Sequence, residues 1–323
     1  MVAEDLDRRP GRPYPRRPPP VTVPVTVPVT VPPPETVAPW TIQRILAWIA
    51  RDLAGRGIDG ARLDAELLVA RALDCRRLDL YLRHEQPLTD PELTRIRALV
   101  ERRRRFEPVA YILGEREFHG RMFAVDDRVL VPRPETEELV DALLALLPPP
   151  GEAPVRILDV GTGSGAIAVT LAATRTDVVV DAVEISPAAA EVAQANALRF
   201  GVDGRVRLRP GSLYKPVAGE TFHAVVSNPP YIATAEIDAL MPDVSRHEPR
   251  IALDGGPDGT TVLRPLVLSA RTCLVPGGWL AVEIGWDQGK VARALALEAG
   301  LTDIEVRRDL AKIDRILLAR APG

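Results

Sequence analysis

Two short stretches of this chain carry the residue types from which chemistry can be built. The first is Asn228-Pro229-Pro230-Tyr231, which closes the apolar run Phe222–Ser227. The nitrogen of a planar NH2 group is a poor nucleophile, because its lone pair is delocalised into a carbonyl or a ring. A site assists by accepting both N–H hydrogens, which leaves the lone pair to be aimed at an electrophile. The Asn228 side-chain oxygen can accept one hydrogen and the Pro229 backbone carbonyl the other. Successive prolines fix φ and bring no N–H to compete for those acceptors. Tyr231 offers a flat face on which a planar amide or base can stack. Such a site needs no metal, nucleophile or strong base, and good alignment can contribute up to roughly 7–11 kcal/mol. The bland alternative is a Pro-Pro turn that ends a strand, with Asn228 capping the next segment.

The second stretch is Arg156-Ile-Leu-Asp-Val-Gly161-Thr-Gly163-Ser-Gly165, an apolar strand that runs into a glycine-rich turn and then a helix. Glycines there let the backbone approach a ligand where a side chain would collide. Farther on, Val178–Val183 reads as a second strand with Glu184 at its carboxyl end, placed to accept both hydroxyls of a ribose. Ala166 also completes a dinucleotide fingerprint, so the loop alone fits a nicotinamide cofactor as well as S-adenosylmethionine. Two features favour the methyl donor. Asp159 stands one residue away from the glycines, where a carboxylate can hold an ammonium group, and the strand count with a terminal hairpin suits a methyltransferase better than a dehydrogenase.

These stretches need a scaffold, and the alternation of patterns supplies one. Strands are expected at Arg156–Val160, Val178–Glu184, Val206–Arg209, Phe222–Ser227 and Trp279–Ile284, followed by a closing pair, Asp303–Arg308 and Arg315–Ala319. Helices are expected at Gly165–Thr174, Pro187–Phe200, Thr260–Cys273 and Gly289–Ala299. The pattern predicts an α/β fold, a seven-stranded, mostly parallel Rossmann-like sheet whose last pair is antiparallel. Before it, Thr41, Asp64 and Thr89 each start a predicted helix, the third running to about Arg105. These make a small all-helical unit over 37–108. Short strands at Tyr111–Leu113, Arg121–Val125 and Val129–Val131 form a β-rich connector, which continues through a linker helix to about 150. The remaining domain spans 151–323.

The 323 residues carry 26% charged and 46% apolar side chains and a net charge of −3. A wholly disordered chain is excluded, and so is a protein that holds nucleic acid by bulk positive charge. Arg102 to Arg105 form the densest local basic cluster, read either as a solvated helix end or as a contact for RNA or an acidic partner. Cys75 and Cys273 are far apart without ligand-like neighbours, which suits a reducing cytoplasm. No apolar stretch approaches the roughly 18 residues a spanning helix needs, so no membrane is expected. Residues 1–36 hold an Arg/Pro mixture and then Val21–Pro24, Val25–Pro28 and Val29–Pro32 in tandem, a pattern that favours polyproline II or disorder. The histidines His84, His119, His223 and His247 show no ligand spacing. His223 reads as a packing residue, His247 as either a structural or a substrate-side group, and Trp279 as core. Pro132 to Glu137 either line the mouth of a site or stiffen the connector.

Asn228-Pro-Pro-Tyr231 behind Asp159-Val-Gly-Thr-Gly-Ser-Gly165 resembles the class I methyltransferases that act on planar nitrogen. More narrowly, from about residue 40 onward the chain is similar to the protein N5-glutamine methyltransferases of the PrmC/HemK type, which modify peptide chain release factors. Ala110–Phe118 and Val131–Glu137 match that family's connector, and His247-Glu-Pro-Arg250 and Leu253–Gly259 match its segment after the catalytic turn. The resemblance implies methyl transfer from S-adenosylmethionine to the glutamine of a Gly-Gly-Gln motif in class 1 release factors. It also implies that the helical unit helps recognise that partner. It carries catalysis to Asn228, Pro229 and Tyr231, and substrate binding to Asn228, Pro229, Pro230 and Tyr231. Cofactor binding falls to Asp159, Gly161, Thr162, Gly163, Ser164, Gly165, Glu184, Ser212, Leu213 and Asn228. Glu184 stands where the family often has Asp, and Ser212 where an acidic residue usually meets the adenine. A cytoplasmic monomer without stable nucleic-acid binding is expected. Methylation of an exocyclic amino group on DNA or RNA, and a catalytically silent cofactor-binding adaptor, are the rival readings.

Overall fold

The computed structural model describes residues 39–309 and 311–323; the Arg/Pro and Val/Thr/Pro tracts lie outside the described residues. Two units are seen among the described residues, a helical one (39–115, with 242–247) and a sheet unit (116–241 and 248–323).

In the helical unit, the Thr41 hydroxyl caps α1 (Ile42–Gly55), and Ile42, Ile45, Ile49 and Leu53 are its buried residues. Helix α2 (Ala61–Ala72) begins earlier than expected, from a left-handed Gly60. Asp64 is therefore not the start of the helix but a buried residue inside it. A short α3 (Arg77–Leu82) was not anticipated. Helix α4 (Asp90–Arg104) starts where its sequence predicts, and there the Glu92 carboxylate accepts from the Thr89 backbone N–H and hydroxyl, both at 2.7 Å. The strand expected at Tyr111–Leu113 is instead α5 (Val109–Leu113), ended by left-handed Gly114. A five-residue apolar run is too short for periodicity to separate helix from strand.

The arginine run is neither a solvated end nor an open basic patch. Consecutive positions at the end of a helix point around its axis, so the run cannot share one face. Arg103 is buried and donates to Asp64 at 2.6 Å and to Asp243 at 3.2 Å. Arg104 grips Asp52 at 2.8 and 2.9 Å, and Arg102 pairs with Glu107. Arg105 stays largely exposed, at 74%, and Arg102 partly so, at 44%, although it is paired.

The sheet unit opens with a two-stranded sheet, β1 (Glu115–Phe118) and β2 (Arg121–Ala124). His119 and Gly120 between them both have positive φ, as a tight two-residue hairpin turn requires. Val129–Val131 is not a strand, and Pro132 and Pro134 beside it have no N–H for a ladder. Helix α6 (Pro134–Leu146) follows, starting on its proline. The main sheet then builds up through β3 (Val155–Val160), α7 (Ala166–Thr174), β4 (Val178–Glu184), α8 (Pro187–Arg199), β5 (Val206–Pro210) and β6 (Phe222–Ser227). After β6 come α9 (Pro242–His247), which groups with the helical unit, α10 (Leu263–Ser269), β7 (Leu274–Glu283), α11 (Gly289–Glu298), β8 (Thr302–Arg308) and β9 (Asp314–Arg320). Its order is β5-β4-β3-β6-β7-β9-β8, with β9 alone antiparallel to its neighbours.

One apolar layer, including Leu139, Leu143, Ile167 and Leu171, covers one side of the sheet. Another, including Leu263, Leu266, Val267 and Leu295, covers the other. Adjacent residues of β3 split between them, Ile157 into the first and Leu158 into the second, as a strand buried on both faces must. In the main sheet and its helices, two of the expected elements differ by more than a residue from the sequence reading: α10 is shorter, giving way to a 3-10 turn over Ala270–Thr272, and β7 starts at Leu274. Trp279 is half-buried rather than core, with the Arg320 guanidinium 5.5 Å from its ring centre.

Candidate functional site

The strand order reverses between β3 and β6: from β3 the chain builds outward through β4 and β5, and from β6 through β7. In open α/β sheets a ligand crevice opens outside the carboxyl ends of the strands at such a point. There the glycine loop leaves β3 and Asn228 leaves β6, and both border one cleft. Glu184, Ser186, Ser212, Leu213, Pro229, Pro230, Pro249 and Ile251 line it too.

Gly161, Gly163 and Gly165 all have positive φ. A Cβ at Gly161 or Gly163 would meet nothing within 4 Å, whereas at Gly165 it would lie 3.3 Å from Ala193 on α8. The first two glycines thus leave a free cradle, and the third allows two helices to approach. Asn196 locks the loop in place, donating to the Ser164 carbonyl at 2.8 Å while it exchanges two bonds with the Ala124 backbone.

Glu184 is buried, and each of its oxygens accepts one backbone N–H, from Gly163 at 2.9 Å and Ser186 at 2.8 Å. A carboxylate has about four lone-pair sites, so these bonds orient it and leave acceptor capacity for a diol. Asp159 is completely buried; the Thr162 hydroxyl donates to its Oδ2 at 2.6 Å, and Oδ1 has no partner. Loss of water, with Glu184 adding to the effect, pushes its carboxyl up to about 7. An orphaned carboxylate oxygen on a residue two positions before the first glycine of the cradle fits a ligand that brings a cation with it. Ser212 and Leu213 sit on the same cleft, and Leu213 has a φ of +53°, a strained value for a non-glycine residue.

On the other side of the crevice a hydrogen-bond chain runs through Asn228. Its Nδ2 donates to Thr136 Oγ1 at 3.0 Å, the Thr136 hydroxyl donates to Glu283 Oε2 at 2.6 Å, and the Tyr231 hydroxyl donates to Glu283 Oε1 at 3.2 Å. The Asn228 Oδ1 accepts no bond among the described residues. An amide held by its nitrogen presents its oxygen outward, the end that can accept an N–H. The Tyr231 hydroxyl is tethered to Glu283, which fixes the direction in which its ring points. Gln288, buried, donates to the carbonyls of Tyr231 and Gly259 at 3.2 and 2.9 Å. A Cβ at Gly259 would collide with the Tyr231 carbonyl oxygen.

Of the expected site residues, Gly161 to Ser164, Glu184, Ser212, Leu213 and Asn228 to Pro230 line this crevice, whereas Asp159, Gly165 and Tyr231 do not. Thr136, within a segment read as mouth or stiffener, lines the cleft with Pro132 and Arg133. His247 does not line it; its Nε2 lies 3.1 Å from the Arg105 carbonyl. His223 is a local structural group, accepting from the Arg156 N–H at 3.0 Å. Glu283, Asn196, Gln288 and the Arg133–Glu248 pair (2.6 Å) were missed. For Glu283 a signal existed: a lone acid in the otherwise apolar run Leu280–Ile284, where a buried charge demands partners.

The chain is similar to known proteins across both units. A family model described as the PrmC N-terminal domain matches residues 44–114, and one described as the Methyltransferase small domain matches 138–244. A release factor glutamine methyltransferase of Geobacter sulfurreducens is 43% identical over 87% of this chain and 97% of its own length. One from Moorella thermoacetica is 42% identical over 86% and 98%. Among solved structures, a release factor-specific protein-(glutamine-N5) methyltransferase from Alicyclobacillus acidocaldarius is 29% identical and has a TM-score of 0.38. It covers 62% of this chain and 100% of its own.

Proposed function

This chain belongs to the release factor glutamine methyltransferases, and from that premise we propose how its residues divide the work. The protein is an S-adenosylmethionine-dependent methyltransferase that modifies a glutamine side-chain amide of a release factor. When bound, S-adenosylmethionine supplies an electrophilic methyl group on a sulfonium centre. Gly161 to Gly165 give it room, Glu184 takes the ribose hydroxyls, and Asp159 with Thr162 faces the ammonium. Ser212 and Leu213 meet the adenine edge, with Ser212 a weaker acceptor than a carboxylate.

In this reading the Asn228 Oδ1 and the Pro229 carbonyl each accept one hydrogen of the substrate NH2, and Tyr231 backs the amide plane. Held that way, the nitrogen lone pair points along the line of transfer; as the N–C bond formed, the sulfonium–methyl bond would break with its electron pair left on sulfur as a neutral thioether, and the surplus proton of the amide would leave to water. Pro230 stiffens the turn. The observation that carries the assignment is the amide of Asn228, anchored by its nitrogen and open at its oxygen, on the same crevice as the glycine loop. No helix among the described residues is long and apolar enough to cross a membrane. We further propose that the target is the glutamine of a Gly-Gly-Gln motif in class 1 factors, and that the helical unit (37–108) recognises the factor. Residues 109–150 form the connector and 151–323 the catalytic domain of a cytoplasmic monomer that does not bind nucleic acid stably.

The test mixes purified protein, methyl-labelled S-adenosylmethionine and a class 1 release factor, then maps the label by mass spectrometry. Label on the Gly-Gly-Gln glutamine is expected. Label on another residue, or on added RNA or DNA in place of the factor, would overturn the proposal.

A further inference from the structure

Asn228 cannot choose its own orientation. The two ends of a carboxamide are nearly equal in size, so hydrogen-bond partners decide which end faces the crevice. Here the partner is the Thr136 hydroxyl, which has one hydrogen to give. That hydrogen goes to Glu283 Oε2, so the Thr136 oxygen is left to accept, and it draws the NH2 end of Asn228 inward. An ionised carboxylate accepts and never donates, which makes the arrangement one-directional. We propose that Glu283, acting through Thr136, is a positioning device that keeps the Asn228 oxygen turned toward the substrate amide, and that protonating Glu283 releases the orientation. This rests on the reading that Asn228 accepts the substrate NH2.

The placement supports a device rather than an incidental bond. Glu283 ends β7 beside β6, whose last residue Ser227 pairs with Val282, so its carboxyl sits next to the start of the Asn228 turn. Glu283 is 1% exposed and Thr136 4%. Water therefore competes little for either group. Once Glu283 carries a proton, its O–H can donate to Thr136. The threonine hydrogen is then free to bond the Asn228 oxygen, and the amide turns its NH2 toward a substrate that is itself a donor. Two donors face to face cannot bind.

The groups facing Glu283 set where this happens. Burial pushes its carboxyl above the usual range and Glu135 of α6 adds to that, while Thr136, Arg315 of β9 and Tyr231 oppose it. Arg315 is shared with Asp309 at 3.3 Å, so its help is divided. Activity should therefore fall on the acid side through a group that touches neither substrate nor cofactor.

The experiment compares the whole protein with its Thr136→Val, Thr136→Ser, Glu283→Gln and Asn228→Ala variants, using a release factor as substrate. It reads kcat, KM, S-adenosylmethionine affinity and the pH profile of kcat. Thr136→Val should lower kcat at least tenfold with cofactor affinity kept, and Thr136→Ser should restore it, since serine retains the hydroxyl. Glu283→Gln can donate from its own NH2; it should be slow at every pH and lose the acid limb seen in the parent. Retained cofactor affinity also shows that the variants fold. If Thr136→Val turns over within twofold of the parent while Asn228→Ala is slow, the orientation proposal is overturned and the acceptor role of Asn228 stands. If Asn228→Ala is also fast, both fall.

Discussion

Asp159 makes the affinity for S-adenosylmethionine depend on pH in a way that can be worked out in advance. Its carboxyl is wholly buried, has one oxygen without a partner, and titrates at about 7. An ammonium group placed against that oxygen binds the ionised form, so below pH 7 binding must first expel a proton. Affinity then tracks the ionised fraction. For a group at about 7 this is about 0.76 at pH 7.5 and about 0.03 at pH 5.5, a loss of about 25-fold or about 2 kcal/mol. The ligand's own α-amino group, near 8, produces a second limb on the alkaline side. Titration calorimetry in buffers of different ionisation enthalpy measures both the dissociation constant and the protons released. At pH 6.5 about 0.8 proton should leave per ligand bound. Asp159→Asn should bind more weakly at pH 7.5 and lose the acid limb. A parent whose affinity changes less than twofold between pH 5.5 and 7.5, with no proton released, would refute the pairing.

The same carboxyl has a consequence for stability without ligand. A native pKa above the unfolded 3.8 means that its contribution is fully present below about pH 4 and lost as pH rises through about 7, amounting to about 4 kcal/mol. Thermal melts should therefore shift in favour of Asp159→Asn over the parent as pH rises from 5 to 8. Asn228→Ala should keep cofactor binding and lose a factor on the order of 10²–10³ in kcat, by analogy with deleting one oriented polar contact; normal turnover would count against the acceptor role. Arg103→Ala strands the buried Asp64 and should cost the helical unit about 3–5 kcal/mol in urea unfolding, whereas a solvated arginine would cost under 1. Gly259→Ala drives a methyl group into the Tyr231 carbonyl and should lower kcat more than cofactor affinity, measured side by side.

The parallel core was legible in the sequence because its strands are buried on both faces and its helices carry start signals. Val178–Glu184 and Phe222–Ser227 have the bounds the sequence predicts. The glycine loop and the Asn-Pro-Pro-Tyr turn were legible for another reason, since each is a local run whose chemistry is spelled by neighbours. Where a segment is short and apolar, as at Val109–Leu113, periodicity carries no information and the helix was missed. The arginine run misled for a related reason. Charge adjacency in sequence says nothing about which way each side chain leaves a helix, and the acids that claim Arg103 and Arg104 come from Asp52, Asp64 and Asp243.

The orienting chain behind Asn228 was illegible in a deeper sense. Thr136 stands in the first turns of a linker helix and Glu283 on the last residue of β7, and neither belongs to a recognisable run with the other. What unites them is the sheet's topology, which sets β7 beside β6 and so brings a buried carboxyl to the amide that must be turned. A motif can name the group that accepts a hydrogen. Which way that group faces is settled by a second set of residues that the fold, not the chain, makes neighbours. A search for this activity by the tetrapeptide alone would therefore admit proteins whose asparagine is unanchored. Requiring a hydroxyl and an acid at the positions of Thr136 and Glu283 is a stricter criterion, because it asks whether the amide is aimed.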